Sequence, residues 1–303
     1  MKEVELNNGS LAYEYEDIMF CNTSEFSASA KHFLKHGCYT FAPAGTIDYN
    51  DFWEAEEYKI LNGVSLPGKL IVDSKGKHSI QDVHITGHHY AYLNYAQIKL
   101  TQEIKIGVTA EKIVKNVTHT NVARKVKTFP EFWDGDYHYF KTVELAERIG
   151  KNIIVFKARR KGYSYKNGFI VAEKTNFIPN NVAIIGAFDK KYLNSADGTM
   201  TMAKNYLDFF ELNTNFSRGY LKDNAEERKT GYQDRITGID KGYKSSLIMV
   251  SFQNNTSAAA GKDASIILLE EAGIFPNLQE VYSITQPTLE DGDVITGMMV
   301  IFG

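Results

Sequence analysis

The chain has 303 residues, 43% of them hydrophobic and 23% charged, with a formal net charge of −3. That length allows one large domain or two modest ones with a substantial core, and the composition excludes a disordered, fibrous or uniformly basic chain. Two cysteines, Cys21 and Cys38, are too few for a disulfide framework, the opening MKEVELNNG lacks the apolar core of a signal peptide, and no run is long enough to span a membrane.

Residues 1 to about 128 carry scattered aromatics and mixed charge with few long apolar runs. Within them His32, His36 and Cys38, and again His84, His88 and His89, have partial metal-ligand spacing without any Cys-x-x-Cys pairing, so structural roles are expected. The basic cluster Lys112, Lys115, Arg124, Lys125 and Lys127 reads as a solvated linker. A shift in composition then predicts a boundary near Thr128. Downstream, the aromatic string Phe129 to His138 fits either a platform for a base, with Phe132 and Trp133, or a plug between domains. Helices are expected over Asp136–Ile149 with Asp136 as N-cap, over Ser164–Ile178 closed by Pro179, and over Thr199–Leu212. Apolar runs at Asn152–Phe156, Val182–Ala187, Leu247–Val250, Ile266–Leu269 and Met298–Ile301 predict five strands covered on both faces, hence an α/β fold with a mainly parallel sheet. The polar stretch Ser217–Tyr243 reads as loops with a short helix.

Two segments carry chemistry. From Asn152 to Gly168 the chain reads N-I-I-V-F-K-A-R-R-K-G-Y-S-Y-K-N-G, a buried strand, a basic turn and a helix start. A helix N-terminus behind a cationic loop can cradle phosphates, although GxxxxGK[ST] is absent because Tyr163 stands between Gly162 and Ser164. Read alone, the segment fits a phosphate cradle or a basic surface turn equally well. The run S-I-I-L-L-E-E, Ser265 to Glu271, ends a strand in two carboxylates. Glu270 would hold Mg²⁺ through water and Glu271 would orient or deprotonate an attacking water, while a pair of ordinary surface acids is the alternative.

The spacing K-x-x-R-x-G-Y-S at Lys157, Arg160, Gly162, Tyr163 and Ser164 resembles the deviant Walker A of tailed-phage large terminases, in which the lysine moves to the start of the loop. E-E-A-G-I-F-P-N-L from Glu270 resembles the terminase Walker B, and G-M-M-V-I-F-G from Gly297 resembles the strand before motif III. H-F-L-K-H-G-C-Y-T from His32 and G-H-H-Y-A-Y-L-N-Y from Gly87 look terminase-like as well. Two glutamates replace the usual aspartate–glutamate pair, and Ala260 precedes Gly261 where an arginine is often seen.

The resemblance implies a P-loop ATPase core of the RecA-like (ASCE) kind over 129–303, preceded by an irregular terminase-specific region over 1–128 that packs on it. It implies ATP and Mg²⁺, with Lys157, Arg159, Arg160, Lys161, Gly162, Tyr163 and Ser164 around the nucleotide, Phe132 and Trp133 at the base, Glu270 and Ser164 at the metal, and Glu271 and Arg160 as catalytic groups. The expected activity is a packaging ATPase working on double-stranded viral DNA, with a capsid portal, a small terminase subunit and other copies in a ring as partners. Such a motor works in the host cytoplasm, docks transiently on the procapsid, stays out of the mature virion and needs no membrane. Arg218, Arg228 and Arg235 are candidates to complete a neighbour's site. Because the sequence stops at Gly303, an excised ATPase portion without a nuclease domain is expected, and so no DNA cutting. The rivals are a helicase-like ATPase and a nucleotide-binding portal-assembly module that does not hydrolyse efficiently.

Overall fold

The computed structural model describes residues 2–5, 11–15, 18–21, 23–72, 75–76, 78–104, 122–158 and 161–303. All five apolar runs enter one seven-stranded sheet, whose strands in chain order are β1 (Ile153–Val155), β2 (Val182–Ala187), β3 (Tyr220–Asp223), β4 (Glu227–Thr230), β5 (Ser246–Ser251), β6 (Ile266–Glu270) and β7 (Met298–Phe302). Their spatial order is β3-β4-β5-β2-β6-β7-β1. From β5 to β1 every pair is parallel, and β3 and β4 extend the far edge as an antiparallel hairpin.

Strand side chains alternate between faces, and here both faces are apolar because each is covered. Ala183, Ile185, Ile266, Leu268, Met298, Val300 and Phe302 join the larger core cluster on one side. Ile184, Ile267, Leu269, Met299 and Ile301 pack on the other with Phe252, Phe275 and Val281. The α/β sheet flanked by helices is therefore the architecture that the sequence pattern predicts.

The helices that position the site are α1 (Ala28–His36), α2 (Ile47–Asn62), α3 (Gly87–Tyr95), α4 (Asp134–Ile149), α5 (Tyr163–Phe177), α6 (Thr199–Asn213) and α7 (Leu278–Thr285). Every residue of α5 from Lys166 to Phe177 is buried, so its polar groups need internal partners. Pro179 cannot follow in the helix, which ends at Phe177 with Ile178 extended. Aromatic rings join the amino-terminal helices to this core: Phe33 lies 5.4 Å from Phe209, Trp53 5.1 Å from Phe216, and Tyr95 5.9 Å from Phe210.

Two buried polar groups lock α1, α2 and α3 together. The Glu56 carboxylate accepts from Ser29 Oγ at 3.1 Å, Tyr90 Oη at 2.8 Å and Tyr95 Oη at 2.5 Å, and pairs with Lys59 at 2.7 Å. Asn94 donates to the Phe26 carbonyl at 2.7 Å and accepts from the Ala30 amide at 3.0 Å. In Glu56→Gln an amide N–H would face hydroxyl donors, so we expect a loss of about 1–3 kcal/mol in urea unfolding, the usual cost of mispairing a buried polar group. An unchanged midpoint would show that the hub contributes nothing.

Two expectations need correction. Ser217–Tyr243 holds β3, β4 and the small hairpin Tyr232–Gln233 with Asp240–Lys241 rather than a helix. Strand β3 lies at the sheet edge, β4 next to it buries only alternate residues, and the small hairpin lies outside the sheet, so no continuous apolar run marks them. Helix α4 starts at Asp134 after Trp133, so Asp136 is not its N-cap. Asp136 instead turns inward to a buried lysine on α5.

Candidate functional site

The carboxyl ends of parallel strands are where α/β sheets place their sites, and β1 and β6 end on the two segments singled out by the sequence. After β1 the chain passes Lys157 and enters α5 through Gly162, whose φ of 74° places it in the left-handed region that glycine adopts without strain. No side chain caps this helix end. Its first N–H groups and the positive end of its dipole therefore face the loop and suit an anion.

Glu270 closes β6 and is buried. Its Oε1 accepts from Ser164 Oγ at 2.6 Å, and its Oε2 accepts from Thr199 Oγ1 at the start of α6. Gly198, just before Thr199, packs against the preceding turn so closely that a Cβ there would stand 2.2 Å from the Leu193 carbonyl oxygen. Burial raises the Glu270 carboxyl, the Ser164 hydrogen bond and Lys157 pull it back, and Glu271 pushes it up, leaving it at about 7.

Glu271 leaves the strand with φ 52°, a left-handed conformation uncommon for a residue with a side chain. The turn aims its carboxylate away from that of Glu270 and onto Lys157, whose Nζ lies 3.2 Å away and 5.8 Å above the Phe302 ring. Two adjacent acids thus face two different partners, one a hydroxyl pair and the other an ammonium.

Lys166 is taken up by the fold. It is buried, pairs with Asp136 at 2.6 Å, donates to the Lys161 carbonyl at 3.2 Å and lies 4.0 Å over the Tyr163 ring. It braces the loop from behind. Burial raises the Asp136 carboxyl, and Lys166 opposes the shift.

The loop opens onto a cleft of about 250 Å³ lined by Lys157, Lys161, Gly162, Tyr163 and Ser164, with Lys99, Lys125 and Asp197 opposite. A second, more apolar cleft of about 500 Å³ adjoins it, sharing Lys99, Lys125, Lys161, Gly162 and Tyr165 and bordered by Trp133, Pro130, Ile98 and Leu100. Trp133 is half-exposed there, whereas Phe132 packs inward, its ring 5.9 Å from Phe26 and 5.0 Å from His89. Arg159 and Arg160 lie outside the described residues, as do Lys112 and Lys115.

The other sequence candidates fall elsewhere. Arg228 is buried in ion pairs with Asp208 at 2.6 Å and Asp223 at 2.8 Å. Arg218 reaches Glu57 at 3.3 Å and lies 4.2 Å over the Tyr243 ring. Arg235 is exposed in the turn between Tyr232–Gln233 and Asp240–Lys241. His88 bridges Glu173 at 2.6 Å and Glu147 at 3.1 Å, and His89 is buried against Phe140, where burial and the charge of Lys166 hold it down at about 3. The His32 and His36 rings lie 4.6 Å apart, tilted by 46°. Among the described residues no cluster of three or more His, Cys, Asp or Glu could hold a metal ion by itself.

Hard oxygen donors do meet at Ser164 and Glu270, and they suit Mg²⁺, which keeps several waters and takes one or two carboxylates plus substrate phosphates. The residues present therefore fit a Mg²⁺–polyphosphate. Sequence reasoning missed Thr199, Asp197 and Lys99, which come from other parts of the chain and carry no local spacing signal.

No protein-family model and no curated protein sequence matches the chain. Among solved structures it is similar to the large terminase ATPase domain of Thermus phage P74-26, at 15% identity and a TM-score of 0.37, over 51% of this chain and 59% of that one. A point variant of the same domain gives a TM-score of 0.38 with the same coverage and identity. The large terminase of bacteriophage HK97 gives 11% identity and a TM-score of 0.39, over 58% of this chain and 34% of that one. Among the described residues no helix is long and apolar enough to cross a membrane.

Proposed function

We propose that this chain binds and hydrolyses ATP with Mg²⁺ as the ATPase portion, 129–303 with 1–128 packed on it, of a large-terminase-type motor that drives double-stranded viral DNA into a procapsid. The observation that carries the reading is the meeting of Ser164 at an uncapped helix N-terminus with the buried Glu270, beside the Lys157–Glu271 pair. The motif resemblance adds the packaging role. Portal, small terminase subunit, neighbouring copies in a ring and cytoplasmic docking on the procapsid belong to the same proposal.

Each residue then has a task. Backbone N–H groups from Gly162 to Tyr165 would hold phosphate oxygens, and Ser164 and Glu270 would hold the metal. Mg²⁺ supplies charge neutralisation at the transferred phosphoryl group. Lys157 exchanges Glu271 for a phosphate oxygen, which leaves the Glu271 carboxylate free to orient a water and accept its proton. Arg160 and Arg159 supply further positive charge on the loop, and Trp133 faces the cleft that would take the base. Arg235 is the arginine we assign to a neighbour's site, since Arg218 and Arg228 are both engaged internally.

Titration of a fluorescent ATP analogue with Mg²⁺ tests the reading. Loss of one charge-assisted contact costs about 1.5–3 kcal/mol, so Lys157→Ala should weaken binding roughly 10- to 100-fold. Lys161→Ala should cost less, because Lys157, of the two, pairs with Glu271 at the acidic strand end. Equal losses at both positions, or no binding by the wild type, would overturn the assignment.

A further inference from the structure

The hairpin formed by Ile98–Ile104 and Val122–Thr128 reaches the phosphate loop from the amino-terminal region. In its register Thr101 faces Lys125 and Lys99 faces Lys127, so Lys99 and Lys125 are diagonal neighbours on one face of the ladder. Both line the 250 Å³ cleft together with Lys157 and Lys161, and Asp197 is the one carboxylate among its lining residues. Such a concentration of like charge is costly unless an anion enters.

Asp197 tells which part of an anion would lie there. It accepts from Lys99 Nζ at 2.9 Å and stands two residues before Thr199, whose hydroxyl is on Glu270. Lys99, and to a lesser degree Lys125, hold the Asp197 carboxyl below the usual range. The hairpin wall is thereby linked through Asp197 and the start of α6 to Glu270, while Lys99 and Lys125 border the adjoining apolar cleft as well. Lys127 is adjacent on the same strand and does not line the cleft.

We propose that this hairpin supplies a second phosphate-binding wall in which Lys125 and Lys99 contact the terminal phosphate of a bound nucleoside triphosphate across the cleft from Lys157. The proposal rests on the nucleotide reading above. Lys99 trades Asp197 for a phosphate oxygen, and Lys125, which makes no ion pair among the described residues, adds a contact without losing one. The site thereby distinguishes triphosphate from diphosphate by charge supplied outside the loop.

Equilibrium titration of fluorescent ATP and ADP analogues with Mg²⁺ on the full chain provides the test, with circular dichroism confirming that each variant folds. Lys99→Ala combined with Lys125→Ala should weaken ATP binding by about tenfold or more and ADP binding by less than about threefold, as expected for lost charge-assisted contacts to one phosphate. Lys127→Ala should bind both as the wild type does. Undiminished ATP affinity in the double variant, equal losses for ATP and ADP, or an equal loss in Lys127→Ala would each overturn the proposal while leaving the nucleotide reading intact. A wild type that binds no ATP would overturn both.

Discussion

Glu271→Gln should keep ATP affinity within a few-fold of the wild type and lower its hydrolysis by roughly 10²-fold or more, the usual contribution of a positioned general base. The carboxylate sits where β6 ends, outside the core, and its described contact is Lys157 at 3.2 Å. Glutamine preserves size and one accepting oxygen but cannot take a proton. Glu270→Gln is expected to act at the other stage. Glutamine can still accept from Ser164 or Thr199, yet it brings no negative charge to a divalent cation, so binding should lose its Mg²⁺ dependence first. Titration with and without Mg²⁺, run beside phosphate release, separates the two. Loss of binding in Glu271→Gln with loss of turnover alone in Glu270→Gln would reverse the roles, and undiminished turnover in both would remove the site from catalysis. Because the Glu270 carboxyl stands at about 7, Mg²⁺-dependent binding should also weaken as pH falls below neutrality.

His88→Leu should cost about 3–5 kcal/mol at pH 7, the range for breaking a buried ion pair and leaving its partner charged. His88 on α3 sits between Glu173 on α5 and Glu147 on α4, and Lys174 pairs with Glu147 at 2.8 Å. Burial works against the imidazolium, but Glu173 and Glu147 outweigh it and raise His88 from 6.5 to about 10. Burial likewise raises the Glu147 carboxyl, yet His88 and Lys174 together lower it from 4.5 to about 2. A raised histidine stabilises fully below its unfolded value and loses that contribution as pH climbs through its folded value; a depressed carboxylate stabilises above its unfolded value and loses it in acid. The wild-type advantage over His88→Leu should accordingly be complete between about pH 4.5 and 6.5, shrink toward pH 10 and shrink again toward pH 2. Urea unfolding across that range reads it directly. A pH-independent gap would mean that the ring is held by packing alone, and adding Glu173→Gln to His88→Leu should recover part of the loss.

The sheet was legible because its strands are continuous apolar runs, and a run such as Ile266–Glu270, buried on both faces, has few other ways to fold. Ser164 and Glu270 were legible as a pair because phosphate chemistry needs a hydroxyl and a carboxylate at the same end of a sheet, here after β1 and at the end of β6. Strands β3 and β4 were not, since Glu227–Thr230, next to the edge strand, buries only alternate side chains and its sequence, E-R-K-T, is polar throughout. Nor was the fate of Phe132, whose ring could serve a cleft or a core equally well by type; packing against Phe26, Tyr137 and His89 decides it. Lys99 and Asp197 lie nearly a hundred positions apart, and only the folded chain sets them 2.9 Å from each other.

The aromatic contacts that join Phe33, Trp53 and Tyr95 to Phe209, Phe216 and Phe210 bear on how the protein can move. Interdigitated rings in a close-packed interior do not slide by fractions of an ångström; they hold one arrangement or jump to another. The amino-terminal helices and the sheet should therefore move as one block. Any movement that nucleotide binding sets off would have to begin at the rim, in the phosphate loop, the lysine-bearing hairpin or the turn that carries Glu271.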